Sequence, residues 1–449
     1  MWDEIPAKEF CASVRDGTHD SPKPVESGRF LITSRHIIGG KIDLSNAYLI
    51  SNDDFEAINK RSKVDRWDVL ISMIGTVGEP CLVREEPEFA IKNIGLFKTK
   101  GDLDGKWLYY YLTSPNAQAL IRQNSRGTTQ AYVPLGALRD FPVRVPRDRE
   151  VMRAITNVLG GLDEKIDLNR RTNQTLEAMA QAIFQSWFVD FDPVKAKIAA
   201  KAEGRDPLRA AIGAISGKTD AELDALPPEQ YEQLAATAAL FPDEMEESEY
   251  GEIPKGWGFK SVADVAEFGR GKVDVSVLNE DIYISTENML ENRGGVSRAT
   301  SLPSVATVPS FKMGQILVSN IRPYFKKIWM AHFDGGRSPD VLAFEPIVAQ
   351  STEFLYNLMY QDAFFEFMTR TAKGAKMPRG DKDAIMGWRF PCPDEALMVY
   401  FSEKVRPYYE YINSLKSEND SLAELRDTLL PKLLSGELSV TDAMVEAEA

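Results

Sequence analysis

At 449 residues the chain passes the roughly 250–300 residues at which a single hydrophobic core stops growing, and its 43% hydrophobic and 27% charged residues are those of an ordinary globular protein, so two or more domains are expected. No apolar run approaches the ~20 residues of a membrane helix, the start Met1-Trp2-Asp3-Glu4 is no signal peptide, and the scattered Cys11, Cys81 and Cys392 exclude a disulfide framework, which together lead to an expected cytoplasmic location. The net charge of −14 argues against a broadly basic DNA-binding surface, but most of it sits in 198–255 (13 acids, 5 bases) and 441–449 (three acids, no base), leaving 1–146 (19 of each) and 257–393 (15 acids, 16 bases) neutral.

Taken in chain order, residues 1–146 are expected to form a β-rich domain with short helices. The loop Thr18, His19, Asp20 and Ser21 is a first candidate for DNA contact, although Asp20 and Pro22 also suit a plain Asx-type turn. Val69-Leu70-Ile71-Ser72-Met73-Ile74 reads as a buried strand bounded by Gly75. A short helix is expected around Trp107–Asn124. It is followed by the Gly loop Ser125-Arg126-Gly127-Thr128-Thr129-Gln130 and by a strand ending in Pro.

Residues 147–190 are expected to be a spacer helix from about Arg149 to Phe188. Its apolar series includes Ile155, Leu159, Leu162, Ile166, Asn173, Leu176, Met179 and Ile183; Gly160-Gly161 weakens it by roughly 1 kcal/mol per Gly, and Asp192-Pro193 ends it. Residues 191–256 read as an acidic linker, exposed, with one or two short helices. Residues 257–393 return to a β-rich pattern, with a strand at Ile316-Leu317-Val318-Ser319 and a short helix around Thr352–Thr371. Residues 394–437 give a second spacer helix, in which Tyr408, Leu415, Leu422 and Leu429 recur every seven residues beside Ile412, Asn419 and Leu433. That is a coiled-coil seam with Asn419 as a polar register-setting member, though Pro407 and Pro431 should kink or shorten it. An acidic tail, 438–449, closes the chain. Each helix should cover roughly 50–60 Å at 1.5 Å per residue.

The chain repeats itself at a period of about 247 residues. Asp68-Val69-Leu70-Ile71-Ser72 matches Gln315-Ile316-Leu317-Val318-Ser319, and Asn93-Ile94-Gly95-Leu96-Phe97 matches Asp340-Val341-Leu342-Ala343-Phe344. Arg126-Gly127 matches Lys373-Gly374, Phe141-Pro142-Val143 matches Phe390-Pro391-Cys392 with a slip of two, and Thr175–Met179 matches Ser421–Leu425. A unit this long is a tandem domain and not a solenoid repeat.

The sequence also excludes chemistries. It has no Gly-x-x-x-x-Gly-Lys-Ser/Thr phosphate loop, no Gly-x-Gly-x-x-Gly after a strand, and no Asn/Asp-Pro-Pro-aromatic tetrapeptide of the kind amino-methyltransferases use around their target base. His19, His36 and His332 are too scattered for a zinc cluster, and Asp190-x-Asp192 before Pro193 reads as a helix cap. No catalytic residue and no metal ligand is assigned.

Leu168-Asn169-Arg170-Arg171-Thr172-Asn173-Gln174-Thr175-Leu176-Glu177-Ala178-Met179, continuing to Phe188-Val189-Asp190-Phe191-Asp192-Pro193, resembles the central helical region of type I restriction-modification specificity subunits. Gly251-Glu252-Ile253-Pro254-Lys255-Gly256-Trp257 resembles the lead-in to their target-recognition domains. Leu425–Leu438 resembles their C-terminal helical region, and Asp16-Gly17-Thr18-His19-Asp20-Ser21-Pro22 an N-terminal loop of some members. The first copy departs from the pattern: it begins Met1-Trp2-Asp3-Glu4-Ile5-Pro6, without Ile-Pro-x-Gly-Trp, which puts its first strand in question.

The resemblance implies an α+β fold in which two tandem target-recognition domains are separated by two long antiparallel coiled-coil helices. It implies a non-catalytic adaptor that reads a bipartite, asymmetric double-stranded DNA target. Two methyltransferase subunits would dock on the helices and motor-nuclease subunits would join. S-adenosylmethionine, ATP and Mg²⁺ would belong to those partners, with no cofactor and no membrane for this chain.

The expected DNA contacts are the first loop, Arg126, Thr128, Thr129 and Gln130, and in the second copy Lys373, Lys376 and Arg379. Arg and Lys suit guanine, Gln suits adenine, and Thr suits either a polar edge or the thymine methyl. Arg322, Tyr324 and Lys326 mix bases with an aromatic and suit phosphate and groove contact; an edge strand guarded by lysines is the plainer alternative. Two rival functions remain open: a coiled-coil scaffold without DNA binding, and a solitary DNA methyltransferase with a fused reader.

Overall fold

The computed structural model describes residues 2–127, 131–249 and 251–440. It divides into two units, Met1–Arg170 with Lys416–Ala449, and Arg171–Leu415. The first long helix, Arg149–Phe184, and the second, Glu395–Ser435, each begin in one unit and end in the other.

Unit 1 is built on a four-stranded antiparallel sheet in the order Ser13–Asp16, Ile94–Lys98, Val69–Ser72, Pro80–Leu82. Val69–Ser72 is buried along its whole length, which is why it reads as a continuous apolar run without alternation. Unit 2 has the same order in Ala266–Phe268, Val341–Pro346, Ile316–Ser319, Ile328–Met330. The register repeats as well: Leu70 lies opposite Leu96, and Leu317 opposite Ala343.

The two-residue slip expected at the closing strand does not exist. Pro142 pairs with Pro6, the residue before the helix Ala7–Phe10, while Arg389 pairs with Ser261, the residue before the helix Val262–Val265. Ala7 N donates to Phe141 O at 2.8 Å and Val262 N to Trp388 O at 3.0 Å. Residues 141 and 142 therefore correspond to 388 and 389, an offset of 247, and the apparent slip came from aligning the Phe-Pro dipeptides. The first strand of copy one is present as Trp2–Pro6, and Trp2 stands where copy two has Trp257.

The short helix expected in each copy is two helices, Asp102–Thr113 with Pro115–Gln123, and Thr352–Tyr360 with Asp362–Thr371. Ser114 caps the second helix of copy one by accepting from Ala117 N. In each unit the first helix of the pair is bonded to the long helices. Tyr110 Oη donates to Asp163 at 2.8 Å, and Arg426 Nη1 meets the same carboxylate at 2.9 Å. At the position of Tyr110 copy two has Asn357 (110 to 357), whose Oδ1 accepts from Gln181 at 2.7 Å and Tyr409 Oη at 3.1 Å.

Within unit 1, Met152, Ile155, Leu159 and Leu162 of the first long helix share a core with Leu429, Leu430, Leu433 and Leu434 of the second, with Leu422 packed beside it. Ile166 is buried, and Asn169 Nδ2 donates to Asn419 Oδ1 at 3.1 Å and to Glu418 at 2.7 Å. The register-setting partner of Asn419 is thus Asn169, which the apolar series did not include.

Within unit 2, Leu176, Ile183 and Tyr408 flank a core containing Ala180, Phe184, Phe401, Tyr409 and Ile412, and Leu415 is buried. One seam assignment is corrected: Met179 is 44% exposed and its neighbour Ala180 is buried, while Asn173 is half-buried, as Leu176 and Ile183 are, with its Oδ1 lacking a partner. Ala180, not Met179, continues the seven-residue series of Leu159, Ile166 and Asn173, so the buried face keeps the heptad and the expected series left it at Met179.

Neither Pro407 nor Pro431 breaks the second helix, which runs 41 residues. Buried Val405 and Tyr409 flank the first proline, and Leu429, Leu430 and Leu433 the second, so packing compensates for each missing N–H bond. The first helix ends in a π-helical turn, Gln185–Val189, followed by Phe191 at φ 57°. Asp192-Pro193 does not simply end it: Pro193 occupies the first turn of the next helix, Asp192–Ala202.

The expected exposed linker is folded. Residues 192–254 contain four helices, Asp192–Ala202, Pro207–Ser216, Asp220–Asp224 and Pro228–Ala239, and a hairpin of Met245–Ser248 with Gly251–Pro254. Ala211, Ile212, Leu223 and Ala238 form a small core of their own. The alanines that made the segment look like a linker let these helices approach closely, and the acids lie outside.

Phe184 is 1% exposed and its ring meets Phe188, Phe354 and Phe401 at centroid distances of 5.0–5.6 Å. Phe184→Ala should cost about 3–5 kcal/mol, read as a lower urea midpoint of the unit 2 unfolding transition. A midpoint shift worth under ~1 kcal/mol would mean that this cluster does not hold unit 2 together.

Candidate nucleic-acid interface

The Gly loops of the two copies are built on one backbone pattern. In unit 1, Arg126 and Tyr132 exchange N–H···O bonds of 2.8 Å across the loop, Gly75 N donates to Ala131 O at 3.2 Å, and Val133 N donates to Met73 O at 3.0 Å. In unit 2, Lys373 and Arg379 exchange bonds of 2.8 Å, Arg322 N donates to Pro378 O at 2.8 Å, and Gly380 N donates to Asn320 O at 2.9 Å. Every participant is displaced by 247: 75 to 322, 126 to 373, 131 to 378, 132 to 379 and 133 to 380. Ile74 bridges Tyr132 as Ile321 bridges Arg379. Each loop is thus sewn to the end of the central buried strand. Gly127 at φ 94° and Gly374 at φ 101° make the tight reversal that a residue with a Cβ would resist.

One substitution in this pattern is costly. Copy one has Gly75 at φ 84°, whereas copy two has Arg322 at φ 50° in the same left-handed region. A non-glycine residue held there costs of order 1–2 kcal/mol. Arg322 is half-buried, its Nε has no hydrogen-bond partner, and among the described residues it forms no ion pair.

The other basic residues of copy two are mostly paired. Arg379 Nη2 meets Asp340 at 3.2 Å, and Lys373 pairs with Asp381. Lys326, itself at φ 50°, reaches Asp362 at 2.6 Å, alongside Arg293. The two cations, Arg293 foremost, hold the Asp362 carboxyl down at about 2. Lys326 thereby links the turn Pro323–Phe325 to the helix Asp362–Thr371. Tyr324 is 48% exposed, with its ring 4.7 Å from that of Phe325. Lys376 is exposed at its loop tip and Arg126 is exposed at the base of its own loop, and Thr128, Thr129 and Gln130 lie outside the described residues.

The first candidate loop is ordered by side chains. His19 Nδ1 bonds Asn93 Oδ1 at 2.8 Å and its Nε2 bonds Asp16 at 3.1 Å, while Asp16 is buried and also takes Arg61. Thr18 lies in a parallel bridge to Lys92, Asp20 N donates to Thr18 Oγ1 at 3.1 Å, and Lys92 Nζ donates to Ser21. The turn is held by the Thr18 hydroxyl, which accepts from Asp20 N and donates to the Asp20 carboxylate at 3.5 Å. Asn93 and Asp340 occupy the same repeat position and each fixes a residue of a candidate loop, His19 in one copy and Arg379 in the other. The sequence-based search missed both, because their role depends on which loop the fold lays beside the strand end. The repeat match that paired Asn93 with Asp340 was the available signal.

Among the described residues no group of His, Cys, Asp and Glu could hold a metal ion, and no helix is long and apolar enough to cross a membrane. A cavity of about 770 Å³ in unit 1 is lined by Lys41, Arg84, Tyr109, Asp163, Asp167 and Arg426 among others. Most of these side chains are committed to one another, as in Lys41–Asp167 and Arg426–Asp163.

Comparison with known proteins agrees with this architecture. The model of the type I restriction modification DNA specificity domain matches residues 16–178. The specificity subunit of the type I restriction enzyme HindI from Haemophilus influenzae is 33% identical over 70% of this chain and 72% of its own length. That of MjaIX from Methanocaldococcus jannaschii is 21% identical over 76% and 71%. The solved type I restriction-modification S subunit from M. genitalium has the same fold, with a TM-score of 0.51 at 14% identity, covering 96% of each chain. Specificity subunits are non-catalytic. The chain belongs to the specificity subunits of type I restriction enzymes, the component that supplies DNA sequence specificity.

Proposed function

We propose that this subunit reads a split, asymmetric double-stranded DNA target with two reading domains, 1–146 and 257–393, and that its long helices, 147–190 and 394–437, set the gap between the halves and dock two methyltransferase subunits. Motor-nuclease subunits complete the assembly. S-adenosylmethionine, ATP and Mg²⁺ serve those partners, and the complex works in the cytoplasm. The folded segment within 191–256 and the acidic tail, 438–449, lie outside the reading domains.

The observation that carries the proposal is the duplicated backbone pattern at the Gly loops. Two copies of one backbone pattern carry different side chains, Arg126 and Tyr132 in one and Lys373 and Arg379 in the other; Thr128, Thr129 and Gln130, outside the described residues, follow Arg126 in the sequence as Lys376 follows Lys373. A common frame with variable side chains is what reading two different half-sites requires, since base edges are distinguished by side-chain donors and acceptors. Thr18 to Ser21, Arg322 and Tyr324 flank these platforms as further contacts.

Exchange of 257–393 for the matching domain of a relative should change one half of the methylated target and leave the other intact. Methylome sequencing of cells carrying the chimera and the methyltransferase subunits reads this directly; alteration of both halves would refute two self-contained readers.

Four residues inserted in helical phase within 163–180 lengthen the first helix by about 6 Å, near two base-pair steps of 3.4 Å. The overlapping second helix absorbs part of this, so the unspecified gap should grow by about one or two base pairs while both halves keep their sequences. An active insertion mutant with an unchanged gap would show that the helices do not set the spacing.

Arg322→Gly puts into copy two the residue that copy one uses at this position. It should stabilise the protein by about 0.5–1 kcal/mol, the relieved strain being partly offset by chain entropy, and weaken DNA binding by the assembled complex. Improved stability with unimpaired binding would remove Arg322 from the interface.

A further inference from the structure

We propose that Arg379 reads a guanine in the half-site of the second domain and that Asp340 is its positioning residue. The inference deepens the reading above and rests on it.

The argument begins with the backbone. Arg379 exchanges two bonds with Lys373, is flanked by the Arg322–Pro378 and Gly380–Asn320 bonds, and lies in a bridge to Ile321. Its Cα is thus held from both sides of the loop base. Gly380 keeps the neighbouring strand end close: a Cβ there would lie 2.7 Å from Asn320 Oδ1. A side chain that must meet a base edge within a few tenths of an ångström needs such support.

The head group has one anchor. Asp340 takes one Nη2 hydrogen at 3.2 Å, and among the described residues no other acceptor bonds the guanidinium. Arg carries five N–H donors in a planar fork, so most remain for a ligand. The side chain is 57% exposed, open to a partner. An arginine with one Nη2 hydrogen taken by a carboxylate and the rest of its fork free matches the O6 and N7 acceptors of guanine in the major groove. It suits a phosphate less well, because a carboxylate beside the contact repels phosphate, whereas a base edge carries no net charge.

Lys373 is neutralised in a comparable way by Asp381, but its ammonium is a point charge without a fork and is 81% exposed. Copy one has Tyr132 at the place of Arg379 and Asn93 at the place of Asp340, so its platform lacks this arginine–carboxylate pair and reads a different base.

The test uses the full chain assembled with its methyltransferase subunits. Methylome sequencing first defines the wild-type target, and the exchange of 257–393 assigns its second half. Duplexes varied one base pair at a time are then titrated at several salt concentrations. Arg379→Ala should lose about 5- to 150-fold of the preference for one G·C pair in that half and leave all other positions unchanged. Asp340→Asn should lose about two- to five-fold at the same pair only, and Asp340→Glu should retain more of it than the amide does.

Uniform weakening on every duplex with the salt slope lower by about one would make Arg379 a phosphate contact and overturn the assignment. So would unchanged base preference, or a second half containing no G·C pair. Absence of any split target for the wild-type complex would bring down the functional reading itself, a result distinct from these three.

Discussion

The rest of the structure depends on how the two long helices are shared. Neither unit contains a whole long helix. Unit 1 buries Met152, Ile155 and Leu159 from the start of the first against Leu429 and Leu433 from the end of the second, and unit 2 buries Phe184 against Phe401 and Tyr409. Each unit is thus closed by segments far apart in the chain. Trp2 lies beside Gly436 at the end of the second helix, and Trp257 packs on Phe188 and Phe191 at the end of the first. The aromatic that opens each β-rich domain is used to cover the end of a spacer helix.

This arrangement explains why the polar contacts at the seams are so specific. Apolar packing alone tolerates a slip along two long helices, and a slip would displace everything built on them. The Asn169–Asn419 pair and the Asp163 carboxylate, bonded by both Tyr110 and Arg426, fix the register in unit 1. Asn357, with Gln181 and Tyr409, does the same in unit 2. A buried polar group left unmatched by a shifted register costs about 1–3 kcal/mol, so each contact penalises the wrong alignment.

The candidate reading surface follows a related division of labour. The backbone of the Gly loops is bonded to the central strand of each sheet and is common to both copies. The side chains on it are not common, and Arg379 on the loop and Lys326 in the neighbouring turn are each held by a carboxylate whose sequence position is remote. Asp340 is 39 residues from Arg379, and Asp362 is 36 from Lys326. Neutral reading domains and locally paired bases fit together, because affinity from unpaired surface charge would be indifferent to sequence.

The sequence by itself determined the duplication, the buried strands Val69–Ser72 and Ile316–Ser319, the two long helices, the Gly loops and the family. Each of these is written in local apolar period, glycine placement or motif, which short-range physics reads directly. It was less reliable wherever the outcome depended on remote packing. Met179 lost its seam position to Ala180, which continues the seven-residue series of Leu159 and Ile166 but, as an alanine, carries little apolar signal. Pro407 and Pro431 failed to break the second helix because flanking apolar residues hold it. The Ala-rich acidic segment folded because its small residues found one another. Tertiary structure alone decided that Lys326 is an anchor, that Arg322 sits at a glycine position, and that Asp340 holds Arg379, since an ion pair or a strained φ is set by which segments the fold brings together.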